Sequence, residues 1–172
     1  MFSTTKSLTN NAKFLTVAAA AALLGLAALP GTVQAFSSPF TAMSGSWSGS
    51  GTITTSSGTK ERIRCRAKYD VDGGGSTLDL TLRCASDSYN FELQSNVAHN
   101  NGAVSGNWSE NTRHVGGSIE GNARGNAIHV RVSGVISATL GVSTNGNQQS
   151  ISIQAPGTEL QSVAISMSRG GK

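Results

Sequence analysis

Cys65 and Cys84 are the two cysteines of the 172-residue chain, and the residues around them dictate where they meet. Glu61 to Val71 and Leu78 to Cys84 each alternate apolar and polar side chains, the period of a half-buried strand. The intervening Asp72-Gly-Gly-Gly-Ser-Thr77 reads as a turn. A hairpin closed with Val71 opposite Leu78 sets Tyr69 against Leu80, Ala67 against Leu82 and Cys65 against Cys84, all on the apolar face. Thiols facing each other in an oxidising compartment form a disulfide. Closing a loop of that length is worth ~3 kcal/mol by chain entropy, less where a hairpin already holds the ends together. Zinc is the rival reading, but no other cysteine or histidine lies at ligand spacing, so no metal is expected.

The other face of that hairpin is basic. Lys60, Arg62, Arg64, Arg66 and Lys68 alternate outward, and the same register places Arg66 opposite Arg83. Like charges directly opposed are unfavourable, and Asp79, diagonal to Lys68, offers partial relief. One reading is a solvated strand face with arginine stems lying over the sheet. The other is an anion site of Arg62, Arg64, Arg66 and Arg83 for phosphate of lipopolysaccharide, another acidic envelope polymer or an acidic protein surface.

Catalytic patterns are missing. His99 falls in an expected turn, His114 stands apart and His129 alternates outward. There is no G-x-S-x-G elbow, H-E-x-x-H or P-loop, and the 9 acids show no evident pairing. Glu110, Arg113 and His114 cluster near a strand end and read as a solvated loop. The expectation is a non-enzymatic protein without catalytic residues or cofactors; a deep polar cleft uniting Glu110 with a histidine would revive catalysis.

The chain opens with an address. Met1 to Phe14 carries Lys6 and Lys13 and no acid, Leu15 to Leu29 is apolar, and Pro30-Gly-Thr-Val-Gln-Ala35 ends in a small-x-small pattern. This predicts a secretory signal peptide over residues 1–35, cleaved between Ala35 and Phe36. An anchor is the alternative, but a span needs ~20 apolar residues, and the run here has 15. The mature product is expected to be exported, periplasmic or secreted, with no membrane span. It would hold 11 basic and 9 acidic residues, a net of +2, too small a surplus to indicate a nucleic-acid partner.

What positions these residues is a succession of strands. Residues 36–44 read as a loose lead, and 45–172 as one domain rich in Gly, Ser, Thr and Asn, a composition that favours all-β structure. Strands follow at Gly45 to Thr55, along the cysteine hairpin, and through Tyr89, Phe91, Leu93 and Val97. After a turn over His99-Asn-Asn-Gly102, Val104, Gly106 and Trp108 mark the next, with Trp108 opposite Leu93 if Val97 pairs with Val104. Gly117, Ile119 and Gly121 then face Ile128 and Val130 around Arg124-Gly-Asn126. Asn145-Gly146 signals a two-residue hairpin, which places Leu140 opposite Ile151 if it closes on Thr144 and Asn147. Val163, Ile165 and Met167 end the series after Pro156-Gly157. Roughly ten sequential antiparallel strands imply an up-and-down barrel, with a two-layer sandwich as the alternative. Closure removes exposed edges, and Gly49, Gly51, Gly106, Gly117 and Gly121 within strands suit the coiling of a small barrel.

Ser44-Gly-Ser-Trp-Ser48 and Ser105-Gly-Asn-Trp-Ser109 repeat a pattern, which reads as two strands using one packing solution. Gly45-Ser46-Trp47 at the first strand, with Arg169 at the end of the last, resembles the calycin signature of lipocalins and avidins. That resemblance implies a barrel whose floor is closed by Trp47 with the Arg169 cation packed over its ring. The biotin contacts of avidins and the later lipocalin motifs have no counterpart. The mature chain is also similar to small exported bacterial proteins of unassigned function.

The inner face offers Trp47, Tyr69, Phe91 and Trp108 among aliphatic residues. In small barrels such residues fill the core. With 9 aromatics in the whole chain and many inward Gly and Ala, the alternative is an under-filled interior that holds a small apolar ligand. The functional expectation is therefore an exported barrel binding a small apolar or amphipathic ligand, calycin-fashion, through Trp47, Tyr69, Phe91, Trp108 and Arg169. The alternative is an envelope-interaction protein using the arginine face.

Overall fold

Alternating side chains punctuated by glycine turns produce ten strands and no helix over residues 38–170, which the computed structural model describes. The expected signal peptide and its cleavage site lie outside these residues. The strands are β1 (Gly45–Thr55), β2 (Lys60–Val71), β3 (Thr77–Ala85), β4 (Asn90–Asn100) and β5 (Ala103–Glu110). They continue with β6 (Val115–Arg124), β7 (Ala127–Gly134), β8 (Ala138–Asn145), β9 (Gln148–Gln154) and β10 (Leu160–Arg169). Each pairs antiparallel with its sequence neighbour, and β10 closes back onto β1. The result is a closed meander without free sheet edges, and the sandwich alternative is set aside.

The cysteine hairpin has the expected register, Val71–Leu78 through Cys65–Cys84, and the two sulfurs are bonded. Arg66 does face Arg83, but Arg83 is neutralised from the other side by Glu92, its direct partner on β4, at 2.9 Å. Lys68 pairs with Asp70 at 2.9 Å rather than with Asp79, which instead accepts a hydrogen bond from Asn96 Nδ2.

Two registers depart from expectation, each by two residues. The β4–β5 turn is Asn101-Gly102 alone, with φ of 48° and 89°, the left-handed pair that a two-residue hairpin needs. β4 therefore runs on through His99 to Asn100, Val97 meets Gly106, and Trp108 faces Ser95 while Leu93 faces Glu110. The β8–β9 hairpin closes on Asn145 and Gln148 around Gly146-Asn147, so Leu140 lies opposite Ile153 and Ile151 opposite Val142. A slip of two preserves which face each side chain takes, whereas a slip of one would turn the core outward.

The in-strand glycines are where the barrel coils. At Gly49, Gly51, Gly106, Gly117 and Gly121 a Cβ would fall 1.7–2.2 Å from a carbonyl oxygen of the adjacent strand. No side chain fits between backbones that close.

The lead read as loose is packed from Ser38 onward. Phe40 and Met43 are buried, 1% and 4% exposed, beneath the end of the barrel where β1 begins. Two large apolar side chains gain more from burial than the short turn loses in freedom. Phe40 meets the His99 ring edge-on at 5.8 Å, and Trp47 Nε1 donates to the Met43 carbonyl at 2.7 Å. Tyr69, Gln149 and Thr144 form a buried chain of hydrogen bonds beside them, 2.9 and 3.1 Å long. The buried Phe40, Met43 and Trp47 form the floor at this end.

Candidate functional site: the barrel interior and its mouth

The inward side chains are mostly aliphatic. They leave a cavity of about 490 Å³ lined almost wholly by apolar groups, within the ~300–1,000 Å³ range of small-molecule sites. The floor is the Phe40–Met43 turn, and the opposite end reaches solvent past Tyr89, Arg113, Val135, Ile136 and Glu159. Of the two expected interiors, filled or hollow, this is the hollow one.

Tyr69, Phe91 and Trp108 line the cavity; Trp47 and Arg169 do not. Trp47 is buried, 1% exposed, within the floor, with the Arg169 guanidinium 4.5 Å from its ring centre. Arg169 also donates to the carbonyls of Ala42 and Ser44. This is the stacking that the G-x-W resemblance implies, and it joins first strand, last strand and lead into one lock. The two tryptophans do use a common device, each indole N–H donating to a backbone carbonyl, but at opposite ends of the barrel. Trp108 reaches over Gly117 on β6 to the Ser133 carbonyl at 3.1 Å.

Alternation already marks the cavity's main walls, including Leu80, Leu82, Leu93, Val130 and Leu140, as inward. Three features of the lining were missed. Ser95 stands on the inner face between Leu80 and Trp108, a hydroxyl in an otherwise oily wall. The β7–β8 loop brings Val135 and Ile136 to the mouth, 68% and 40% exposed. Glu110 is not part of a solvated loop; it is 4% exposed, at an inward position two residues beyond Trp108.

Glu110 organises one side of the mouth. Its burial would raise the carboxyl pKa, but hydrogen bonds outweigh that and bring it down to about 2. The donors are the Thr112 hydroxyl and the backbone N–H groups of Glu92, Arg113 and Thr112. Such a carboxylate is fully engaged as an acceptor and unsuited to proton transfer near neutrality. Arg113, half exposed, lies 3.6 Å from it and stacks at 5.0 Å over the Phe91 ring, which in turn stacks on Tyr89 at 6.2 Å. The Tyr89 hydroxyl donates to Glu159 Oε1 at 2.9 Å, tying the β3–β4 loop to the β9–β10 loop.

His114 is exposed in the β5–β6 turn, His129 is exposed on the outer wall, and His99 accepts from the Gly102 N–H at the closed end, at 3.2 Å. Arg62, Arg64, Arg66 and Arg83 lie on the outer wall, remote from the cavity lining. Among the described residues no group of three or more His, Cys, Asp or Glu could hold a metal ion, and no helix is long and apolar enough to cross a membrane.

No protein-family model matches the chain, and a search of curated proteins returned no match. Among solved structures, the barrel is similar to the crystal structure of Rv2717c from M. tuberculosis. The TM-score is 0.60 with 14% sequence identity, over 76% of this chain and 94% of that one. The likeness is one of fold.

Proposed function

We propose that this chain is an exported, non-enzymatic β-barrel that binds a small apolar or amphipathic ligand in its interior. The observation that carries the reading is the apolar cavity of about 490 Å³, with the buried Phe40 and Met43 at one end of its lining and the exposed Val135 and Ile136 at the other. Burying the apolar part of a ligand there gains ~25 cal/mol per Å² removed from water. The mouth adds an orientation: a tail enters past Val135 and Ile136 while a polar head stays beside Arg113 and the Tyr89–Glu159 pair. Export is supported by the signal-peptide pattern of residues 1–35 and by the Cys65–Cys84 disulfide, a bond that persists in oxidising compartments.

The test uses delipidated protein titrated with 8-anilinonaphthalene-1-sulfonate, an apolar dye with one anionic group. Saturable binding with blue-shifted emission is expected, and Leu140→Trp, which fills the cavity, lowers affinity at least ~10-fold. Arg113→Glu weakens the anionic dye while sparing its uncharged analogue. Unsaturable binding by the native protein, or undiminished binding by a folded Leu140→Trp variant, sinks the reading.

A further inference from the structure

The outer wall from β8 through β9 and β10 to β1 is a continuous field without charge. Its outward residues, Thr139 to Asn145, Gln148 to Gln154, Ser162 to Ser168 and Ser46 to Thr54, are Ser, Thr, Asn, Gln, Gly and Ala alone. Register aligns them in rows. One row runs Ser143, Ser150, Ser166 and Ser50, then ends on Arg64 of β2. The rows on either side end on Arg66 and Arg62, and the next on Lys60. The field is therefore bordered by a ladder of cations on alternate residues, ~6.7 Å apart along the strand.

The ladder is uncommitted. Lys68 and Arg83 of the same hairpin have carboxylate partners, but no salt bridge engages Lys60, Arg62, Arg64 or Arg66 among the described residues. Arg62 makes a single long contact, 3.5 Å, to the Ser50 hydroxyl, which belongs to the field itself. On the far side the field is recessed. Gly141 has no side chain, and a shallow groove there is lined by Thr139, Ser152 and Gln154, by His129, and by the directly paired Glu120 and Arg131. It therefore suits the uncharged part of a sugar while the acidic groups lie on the ladder. From groove to ladder is roughly 19 Å, four strand spacings.

Short hydroxyl and carboxamide side chains on a smooth sheet offer donors and acceptors to a polyhydroxylated chain without obstructing it. The arginine forks match carboxylate, sulfate or phosphate groups. We infer that this face binds an acidic polysaccharide, which lies across β8 to β1 with a sugar in the Gly141 groove and its acidic groups on Arg62, Arg64 and Arg66. The site is independent of the barrel interior, so either reading can fail without the other.

The test measures binding of dextran sulfate, neutral dextran, linear polyphosphate and phosphatidylglycerol vesicles at fixed ionic strength. Dextran sulfate is expected to bind tightest, and the triple variant R62S/R64S/R66S to lose at least ~10-fold. Gly141→Gln fills the groove without altering charge; its backbone is not left-handed, and its Cβ would meet the movable Ser152 hydroxyl at 2.9 Å. It should weaken dextran sulfate ~5-fold and leave polyphosphate unchanged. Dextran sulfate no tighter than polyphosphate, indifference to Gly141→Gln in a folded protein, or a preference for the vesicles each overturns the proposal. Circular dichroism and melting temperature establish that both variants fold.

Discussion

Arg169 and Trp47 are direct partners across the β10–β1 seam, with the guanidinium 4.5 Å over the indole. Because that seam joins the first strand to the last, no local turn holds it, and the stack substitutes for one. The same guanidinium fixes the Ala42 and Ser44 carbonyls, so the lead that floors the barrel depends on it as well. Arg169→Ala is expected to cost about 2–4 kcal/mol in urea unfolding, from the lost cation–π contact and two charge-assisted hydrogen bonds. Arg169→Lys recovers part of it. A loss below about 0.5 kcal/mol, the level of an ordinary surface change, would mean that the seam closes without the lock.

Glu110 makes stability pH-dependent at the acid end. Its folded carboxyl ionises at about 2, below the ordinary 4.5. A depressed carboxyl contributes stability that is present above the unfolded pKa and lost as pH falls through the folded one. Unfolding free energy should hold steady down to about pH 4.5 and decline between there and pH 2, by on the order of 2–3 kcal/mol for this group. Glu110→Gln is less stable at pH 7 and flatter over that window. An acid transition of identical depth in the variant would assign it to other carboxylates.

Gly51→Ala tests whether close backbone approach is what the in-strand glycines provide. A Cβ at Gly51 would sit 2.0 Å from the Ala164 carbonyl oxygen and 2.8 Å from the Ile165 Cα, both backbone atoms. The substitution is expected to cost at least ~3 kcal/mol, as overpacking that side-chain repacking cannot relieve. Gly146→Ala makes the contrast: φ is +57° but nothing lies within 4 Å, so only the left-handed penalty of ~1 kcal/mol applies. Thermal melts of the pair that moved equally would refute the distinction.

Reducing the Cys65–Cys84 bond, or replacing both residues by serine, should lower stability by about 2–3 kcal/mol while leaving the β-sheet circular dichroism intact. The hairpin is already held by its strand pairing and by the Asp72 carboxylate, which accepts from Thr77 N and Ser76 Oγ, each at 2.8 Å. Loss of the barrel signal on reduction would show instead that the bond is required for folding.

Strand number, strand order, the face taken by the apolar strand residues and the cysteine pairing were legible in the amino-acid sequence, whereas the inward positions of Ser95 and Glu110 were not. The legible features follow from a period of two and from turn residues that act locally, as at Val71–Leu78 around a glycine turn. The two misjudged registers lie where an Asn-Gly step allows more than one closing pair. There the choice between Val97–Val104 and Val97–Gly106, or Leu140–Ile151 and Leu140–Ile153, belongs to turn geometry that composition does not specify. The lead was misread because its length and polarity say nothing of the opening that Phe40 fills.

Hydrophobic periodicity and charge spacing thus determined an oily-inside antiparallel meander and a basic stripe on its outer face, while its closure into a barrel rather than a sandwich was settled by the β10–β1 pairing. Whether the interior was full or hollow, that Trp47 belongs to the floor and Glu110 to the mouth, and that four uncharged strands end row by row on the arginines were decided only in three dimensions. The reason is physical: alternation sorts side chains between two faces, but cavity volume and the rows across a sheet depend on strands distant in sequence. Those are joined by shear, coiling at the glycines and closure of β1 on β10.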